Sequence, residues 1–184
     1  MKRLFAVLAF ALLLPGPAAA DIELFGTTPL LNAVQAGDAQ KVSELLTRKQ
    51  SADFADYDGK SALMYAANSG QEEIVDILLH HRANPDARDK LGNTALIYAA
   101  MQGQVEIIRA LAKAKASPDI ENRRGVTPLM AAAGKGQLSA VQALLDAGAD
   151  PALRDYTGRT ALMWAEWNRH AQVVRLLKKA GVRE

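Results

Sequence analysis

Apolar residues recur along the chain in a helical pattern that returns every 33 residues. The stretch "SALMYAANSG" (61–70) is followed by "VDILL", and "TALIYAAMQG" (94–103) is followed by "IRALA". Apolar residues three and four apart predict one buried helix face in each segment. One such unit is too small to cover its own apolar face, so neighbouring units must stack. The pattern therefore predicts an array of short helices, two to each unit.

Small and hydroxyl residues mark the helix ends in every unit. A hydroxyl before each first helix is expected to accept a hydrogen bond from free backbone N–H groups. Pro29 and Pro128 follow at the first helical position, where the missing N–H costs nothing. A glycine is expected to end each first helix, and Arg169 replaces it in the fifth unit. The recurring positions are Thr28, Ser61, Thr94, Thr127 and Thr160; Leu30, Leu63, Leu96, Leu129 and Leu162; and Gly37, Gly70, Gly103 and Gly136.

The repeated motif resembles the ankyrin repeat. The pattern G-x-T-P-L…A-A…G…L-L…A-D carries the resemblance, and the copy from Gly125 to Arg159 is the most similar to it. The resemblance implies an all-α solenoid of antiparallel helix pairs with hairpin-like loops projecting at each junction. It implies an ankyrin domain over 21–184, with repeats at about 28–60, 61–93, 94–126, 127–159 and 160–184.

The chain departs from the family pattern inside the repeats. Where the family usually has histidine after T-P-L, the chain has apolar residues, which predicts apolar packing in place of a buried polar network. After the second helix, Lys49, Arg82 and Lys115 replace a left-handed glycine, and each is expected to be strained by ~1 kcal/mol. The second and third junctions are therefore predicted to be softer than the fourth. The apolar residues in the histidine position are Leu31, Met64, Ile97, Met130 and Met163.

The two ends of the array have polar side chains in the pattern. Asn32 and Gln35 replace apolar or small residues in the first unit, and Lys178 and Lys179 close the last helix. Terminal repeats need an outer face that water can wet. We expect these units to cap the array, with no further domain required.

The first twenty residues have the features of a secretory signal. Lys2 and Arg3 precede an apolar run from Leu4 to Leu14, and three alanines follow the Pro15-Gly16-Pro17 break. This order predicts a signal peptide over 1–20 with cleavage after Ala20. The alternative, a membrane anchor, is disfavoured because spanning takes about 20 apolar residues. The sequence predicts a periplasmic protein, with secretion as the second choice.

Charge and cysteine content exclude several functions. The chain has 22 basic and 20 acidic residues, and Lys2 and Arg3 account for the difference. The exported part is then neutral, so its net charge gives no reason to bind nucleic acid or a membrane surface. The absence of cysteine excludes disulfides, thiolate catalysis and cysteine metal sites.

Candidate chemistry is sparse. His80 and His81 are interpreted as a solvated helix end, because imidazoles are favourable near the negative helix terminus, and no other metal site, catalytic motif or cofactor loop is expected. Acidic or amide residues recur at the start of each junction loop and could suggest a calcium array. We prefer to interpret them as side chains that cap tight turns. They are Asp56, Asp89, Asn122 and Asp155.

A binding face is predicted on the concave side of the array, which the resemblance builds from the junction loops and the first helices. Of sixteen variable loop positions, seven are basic and two acidic, and aromatic residues lie among them. The excess falls from five to two when Asp56, Asp89 and Asp155 are counted. Ordinary solvated loops are the alternative interpretation. Tyr65, Tyr98 and Trp164 are expected to pack against the loop bases. The predicted partner-binding residues are Tyr57, Lys60, Arg88, Lys90, Leu91, Met101, Arg123, Arg124, Lys135, Arg154, Tyr156, Arg159 and Trp167.

The resemblance implies a non-catalytic module that binds another protein, one with an acidic patch to match the basic loops. Two alternatives stay open. A binder of a small anion could use Arg123 and Arg124 but would need a deep pocket. An enzyme would need an acid–base pair converging in a cleft, which the sequence does not indicate.

Overall fold

A computed structural model describes residues 28–181, which form ten helices in five consecutive pairs. The predicted signal peptide lies outside the described residues. Within them, the extended pairing is a single bridge between Ala55 and Ser61. The helices are α1 Pro29–Ala36, α2 Ala39–Thr47, α3 Ala62–Ser69, α4 Glu72–His80, α5 Ala95–Gln102, α6 Val105–Lys113, α7 Pro128–Lys135, α8 Leu138–Asp146, α9 Ala161–Trp167 and α10 Ala171–Lys179.

The predicted N-caps are confirmed at all five first helices. At α7, for example, the hydroxyl oxygen of Thr127 accepts a hydrogen bond from the Met130 N–H at 3.3 Å. The predicted glycines end the first helices with left-handed backbone, as at Gly136 with φ 73°. In the fifth unit Arg169 has a φ of 61°, and α9 ends one residue earlier than its counterparts. The helix ends are therefore set by the residues that the 33-residue pattern marks.

The core runs the length of the array as two layers. The odd-numbered helices pack on one another in one layer, and the even-numbered helices pack in the other. Alanine pairs such as Ala132 and Ala133 are fully buried, which allows neighbouring helices to approach closely. The positions after T-P-L are buried up to Met130, while Met163 in the last unit is half-buried. The predicted all-α solenoid with apolar packing is confirmed.

The junction loops are joined to one another by backbone hydrogen bonds. The N–H of Lys90 donates to the carbonyl of Asp58 at 2.8 Å, and the N–H of Arg123 donates to that of Leu91 at 2.9 Å. The N–H of Tyr156 donates to the Arg124 carbonyl at 3.2 Å. Consecutive loop tips therefore form one connected row along the edge of the helix layers.

The predicted strained positions do have left-handed backbone. Lys49, Arg82 and Lys115 have φ values of 68°, 63° and 63°. The fourth junction has Gly148 at the equivalent position, with a φ of 88°. Softness of the second and third junctions stays a prediction. It is checked by comparing amide hydrogen exchange at residues 82–84 and 115–117 with that at 148–150. Equal protection at the three junctions would contradict it.

Between residues 28 and 181, no helix has the length and hydrophobicity needed to cross a lipid bilayer.

Candidate functional site

The side chain at the start of each junction loop closes the loop's turn. Oδ1 of Asp89 accepts hydrogen bonds from the backbone N–H groups of Leu91 and Asn93, both at 2.8 Å. Asp56, Asn122 and Asp155 do the same in their own loops. The interpretation of these residues as turn caps is confirmed.

The second oxygen of each turn aspartate accepts a hydrogen bond from an aromatic ring on the following first helix. The Tyr65 hydroxyl donates to Asp56 Oδ2 at 2.6 Å, and the Trp164 indole N–H donates to Asp155 Oδ2 at 2.9 Å. Tyr98 donates to Asp89 Oδ2 at 2.7 Å. The expected packing of these rings against the loop bases is confirmed.

These contacts change the acidity of the groups involved. The hydrogen bond to Asp56, helped by burial, raises the pKa of Tyr65 to about 12. Burial together with the hydrogen bond to Asp89 raises the pKa of Tyr98 to about 12. Burial alone would raise the pKa of Asp56 and Asp155, but hydrogen bonds from side-chain and backbone donors outweigh it and lower both pKa values.

Cations lie against the same rings. Lys60 Nζ is 4.4 Å from the centre of the Tyr65 ring and 4.5 Å from that of Tyr98. In the last unit, the Arg159 guanidinium carbon is 5.7 Å from the Trp164 ring and 4.7 Å from the Trp167 ring. Cations at such distances are attracted to the ring faces. Two clusters of a cation and aromatic rings thus lie along the first helices, one spanning the second and third units and one in the fifth.

The fourth unit interrupts this column. Ala131 stands where Tyr65, Tyr98 and Trp164 stand in their units, and Val126 stands where Lys60 and Arg159 stand. The missing ring leaves a cavity of about 430 Å³, which we name the Ala131 slot. Its lining comprises Leu91, Asn93, Ile97, Tyr98, Met101, Asn122, Arg124, Val126, Met130, Ala131, Gly134, Lys135, Trp164 and Asn168.

The Ala131 slot has a buried floor and an exposed rim. Ile97 and Met130 are fully buried in the floor, and Leu91, Arg124 and Lys135 are exposed at the rim. The volume falls within the range of ~300–1,000 Å³ that is usual for ligand pockets. The concave face therefore has a recess of the size and composition that binding sites have.

The loop tips carry large exposed side chains. Tyr57 is 84% exposed, Leu91 66% and Tyr156 68%, and Trp167 at the end of α9 is 70% exposed. Lys90 Nζ lies 3.5 Å from the centre of the Tyr57 ring. Contiguous patches of such side chains mark interaction sites, whereas single exposed ones are common on protein surfaces.

A family comparison identifies the chain. The family model described as ankyrin repeats in three copies matches residues 6–89, 82–155 and 114–183, which together cover nearly the whole sequence. The chain belongs to the ankyrin-repeat family. No curated protein matches its sequence significantly. The first family match begins inside the predicted signal peptide, which stays a prediction.

Membership gives the broad function. Ankyrin repeats are protein–protein interaction modules and typically have no enzymatic activity. In the described part of this ankyrin-repeat protein, no three His, Asp or Glu side chains are grouped so that they could hold a metal ion. The rings of His80 and His81 lie edge to face, 5.7 Å apart, at the end of α4.

The predicted partner-binding residues fall into three groups. The first group lines the Ala131 slot and comprises Leu91, Met101, Arg124 and Lys135. The second is engaged within the protein: Lys60 and Arg159 lie against rings, and the guanidinium groups of Arg88 and Arg154 donate to the carbonyls of Glu121 at 2.6 Å and Gly158 at 2.7 Å. The third lies exposed at the loop tips and the end of α9, and all but Arg123 also contact a neighbouring side chain: Tyr57, Lys90, Arg123, Tyr156 and Trp167.

Tyr156 is held in place despite its exposure. Its hydroxyl donates a hydrogen bond to Glu121 Oε1 at 2.7 Å, and this bond raises the pKa of Tyr156. Its ring lies close to Gly125, where an added Cβ would come within 2.6 Å of it. The loop tip therefore presents the ring in a fixed position.

Sequence reasoning did not find the Ala131 slot. Tyr98 and Trp164 were expected only to pack, but they also form the two walls of the slot. The signal was present in the 33-residue register, because Ala131 breaks a column of aromatic residues and Gly134 follows it on the same helix face. The recess forms where two of the smallest residues, Ala131 and Gly134, lie on the exposed side of α7.

Proposed function

We propose that this ankyrin-repeat protein binds a second protein through its concave face and loop tips, without catalysis, in the bacterial periplasm. The observation that carries the proposal is the grouping of large exposed side chains on this face. Tyr57, Leu91 and Tyr156 project from the loop tips, and Trp167 from the adjoining helix. Aromatic residues and arginine dominate the energetics of protein interfaces.

The charges of the loop tips favour a partner with an acidic patch. Arg123 and Arg124 are exposed, and they take no part in the ion pairs found among residues 28–181. The carboxylates of Asp89 and Asp155 are buried and point into their own turns. Opposite charge on a partner would speed association and select against other proteins.

The face is preorganised for binding. Backbone hydrogen bonds join consecutive loop tips, and Asp86 Oδ1 accepts from the Ser117 N–H of the next unit at 2.9 Å. Interfaces built on such supported backbones usually change little on binding. The protein is then expected to present one rigid surface to its partner.

The exported location rests on the sequence of residues 1–20. Protein recovered from the periplasmic fraction of the source organism is expected to begin at Asp21, as N-terminal sequencing would show. Recovery from the cytoplasm with Met1 retained would contradict export.

The binding face is tested with two charge-reversed baits. Arg123→Glu/Arg124→Glu alters the loop tips, and Lys113→Glu/Lys179→Glu makes the same change in charge on the even-numbered helices. Both are used with the unchanged protein in pull-downs from the periplasmic fraction, and captured proteins are identified by mass spectrometry. Purified partner should then bind the loop variant at least ~10-fold more weakly than the control variant. A partner that binds both variants equally would place the interface elsewhere.

A small anionic ligand is the second candidate. The Ala131 slot supplies the pocket that such a ligand needs, and Arg124 and Lys135 give its rim a positive charge. Of the two arginines expected to hold an anion, Arg124 lines the slot and Arg123 does not. If no bait captures a protein, thermal-shift measurements with small aromatic carboxylates test whether the protein binds a small anion. A rise in melting temperature would support this second candidate.

A further inference from the structure

The Ala131 slot differs from its surroundings in one specific way. On either side, the chain fills the equivalent place with its own ring, Tyr98 in the third unit and Trp164 in the fifth. In the fourth unit the backbone is the same but the ring is missing. The fourth unit therefore has an open space at the position that a ring occupies in the neighbouring units.

We propose that the Ala131 slot binds an aromatic side chain of the partner protein, one flanked by carboxylates in the partner's sequence. This inference rests on the proposed function and names the anchor that the concave face would recognise. The walls, the hydrogen-bonding group and the charge of the slot support it.

The walls of the slot suit a flat ring. The side chains of Tyr98 and Trp164 line opposite ends, and buried Ile97 and Met130 line the floor. Gly134 lets Trp164 lie close to α7, since an added Cβ there would be 3.2 Å from Trp164 Cε3. Aromatic rings attract one another in offset or edge-to-face arrangements, and an apolar floor adds burial.

The hydrogen-bonding group at the base of the slot has the opposite polarity from its counterparts. In the neighbouring units, an aspartate oxygen accepts a hydrogen bond from the chain's own ring. Here Asn122 Oδ1 accepts from the backbone N–H groups of Arg124 at 2.9 Å and Val126 at 3.2 Å, which fixes the orientation of the amide. Nδ2 therefore faces the other way and donates to Asn93 Oδ1 at 2.9 Å. An amide nitrogen has two protons to donate, so the second suits an acceptor such as a tyrosine hydroxyl oxygen.

The rim selects for negative charge around the ring. Arg124 and Lys135 are exposed there, and no carboxylate is among the residues that line the slot. Free cationic side chains would be attracted by the aromatic walls but repelled by this rim. An aromatic residue with carboxylates beside it satisfies the walls and the rim together.

The test uses ¹⁵N-labelled protein and synthetic peptides followed by NMR. The probe is acetyl-Ser-Glu-Asp-Tyr-Glu-Asp-Ser-amide, and a matched peptide replaces its tyrosine with alanine. Addition of the probe should shift the Asn122 side-chain amide and the Trp164 indole N–H signals. The alanine peptide should bind at least ~10-fold more weakly.

Two tyrosine-adding variants control for the site. Ala131→Tyr fills the slot with the ring that the neighbouring units carry, and should weaken binding of the probe at least ~10-fold. Ala114→Tyr adds the same ring at an exposed position at the end of α6, outside the slot, and should bind the probe as the unchanged protein does. Both variants are first shown to unfold cooperatively.

Each of the following outcomes would overturn the proposal and indicate a different interpretation of the slot. Equal binding of the tyrosine and alanine peptides, unaffected by Ala131→Tyr, would leave a charged loop face as proposed above but no aromatic anchor. N-acetyl-tyrosine binding as tightly as the probe would mean a small-molecule site. Concentration-dependent shifts at the slot without any peptide would mean that a second copy of the chain occupies it. No shift at the slot up to about 5 mM probe would mean that the slot takes no such ring.

Discussion

The third and fourth units of the array share a backbone and differ in the side chains of their exposed face. Both begin at a threonine N-cap and end the first helix at a glycine, with φ of 74° at Gly103 and 73° at Gly136. The third unit adds the Tyr98 ring, bonded to Asp89, and the fourth has Ala131 and Asn122 instead.

This difference distinguishes the residues that form the repeat from the ring that covers its exposed face. Caps, buried leucines and the turn-closing side chain are present in both units, so these are sufficient for the helix pair and its loop. The ring is an addition that covers the concave face and ties the helix to the turn. Where it is absent, as in the fourth unit, the fold continues and a recess remains.

Removing the equivalent ring from the second unit should have the largest effect on stability. Tyr65→Ala takes away a half-buried ring, its hydrogen bond to Asp56 and its contact with Lys60. We expect the free energy of unfolding to fall by about 2–3 kcal/mol, measured by urea denaturation. The fold should persist, because the fourth unit already lacks this ring.

A milder variant separates the parts of that effect. Tyr65→Phe keeps the ring and loses only the hydrogen bond to the carboxylate, so it should cost about 1–2 kcal/mol. If both variants were within a few tenths of a kcal/mol of the unchanged protein, the ring would add nothing to the unit and the comparison would fail.

Rebuilding the missing ring tests the same contact from the opposite direction. Asn122→Asp combined with Ala131→Tyr recreates the pair that Asp89 and Tyr98 form but loses the hydrogen bond from Asn122 Nδ2 to Asn93 Oδ1, so the double variant should be about 1 kcal/mol more stable than the sum of the single changes. The two changes should be coupled, since Asn122→Asp alone leaves a buried carboxylate without the ring donor. A double-mutant cycle measures this coupling, and strictly additive effects would show that the pair had not formed.

The smallest expected effect is the loss of the stability that Asp155 contributes when the protein is placed in acid. Hydrogen bonds lower the pKa of Asp155, so its contribution to stability is complete above the ordinary value of 3.8 and is lost as the pH falls through the lower folded-state pKa. Asp155→Asn gives the fifth unit the turn residue of the fourth and should cost about 1 kcal/mol near pH 7.

The pH dependence of stability distinguishes loss of the hydrogen-bonded carboxylate from poorer packing of the asparagine amide. The stability difference between the unchanged protein and Asp155→Asn should shrink as the pH falls below the ordinary value of 3.8 and the carboxyl group becomes protonated in the folded state. Urea denaturation at each pH gives the two curves. A difference that stays constant with pH would attribute the cost to packing.

Much of the molecule follows from the 33-residue register by itself. The hydroxyl caps, the glycine helix ends and the turn-closing role of Asp89 are local features, each decided by a few residues near in sequence. The left-handed backbone at Lys115 is likewise set by its place in the repeat. Such features could be predicted because local backbone geometry requires particular side chains.

The proposed binding face could be predicted only in part, because the contacts of its side chains depend on residues one or two units apart. The sequence placed Arg88, Arg154 and Arg159 among loop cations, but the tertiary structure ties the first two to backbone carbonyls and lays Arg159 against two tryptophan rings.

The Ala131 slot shows the same limit most clearly. An alanine has no chemistry of its own, and only the stacking of three units gives this one walls, a floor and a charged rim. Sequence alone determined the repeat, its caps and its turns, because these are local. The stacking decided which side chains are free and where a cavity lies, because both depend on contacts between residues that the chain keeps far apart.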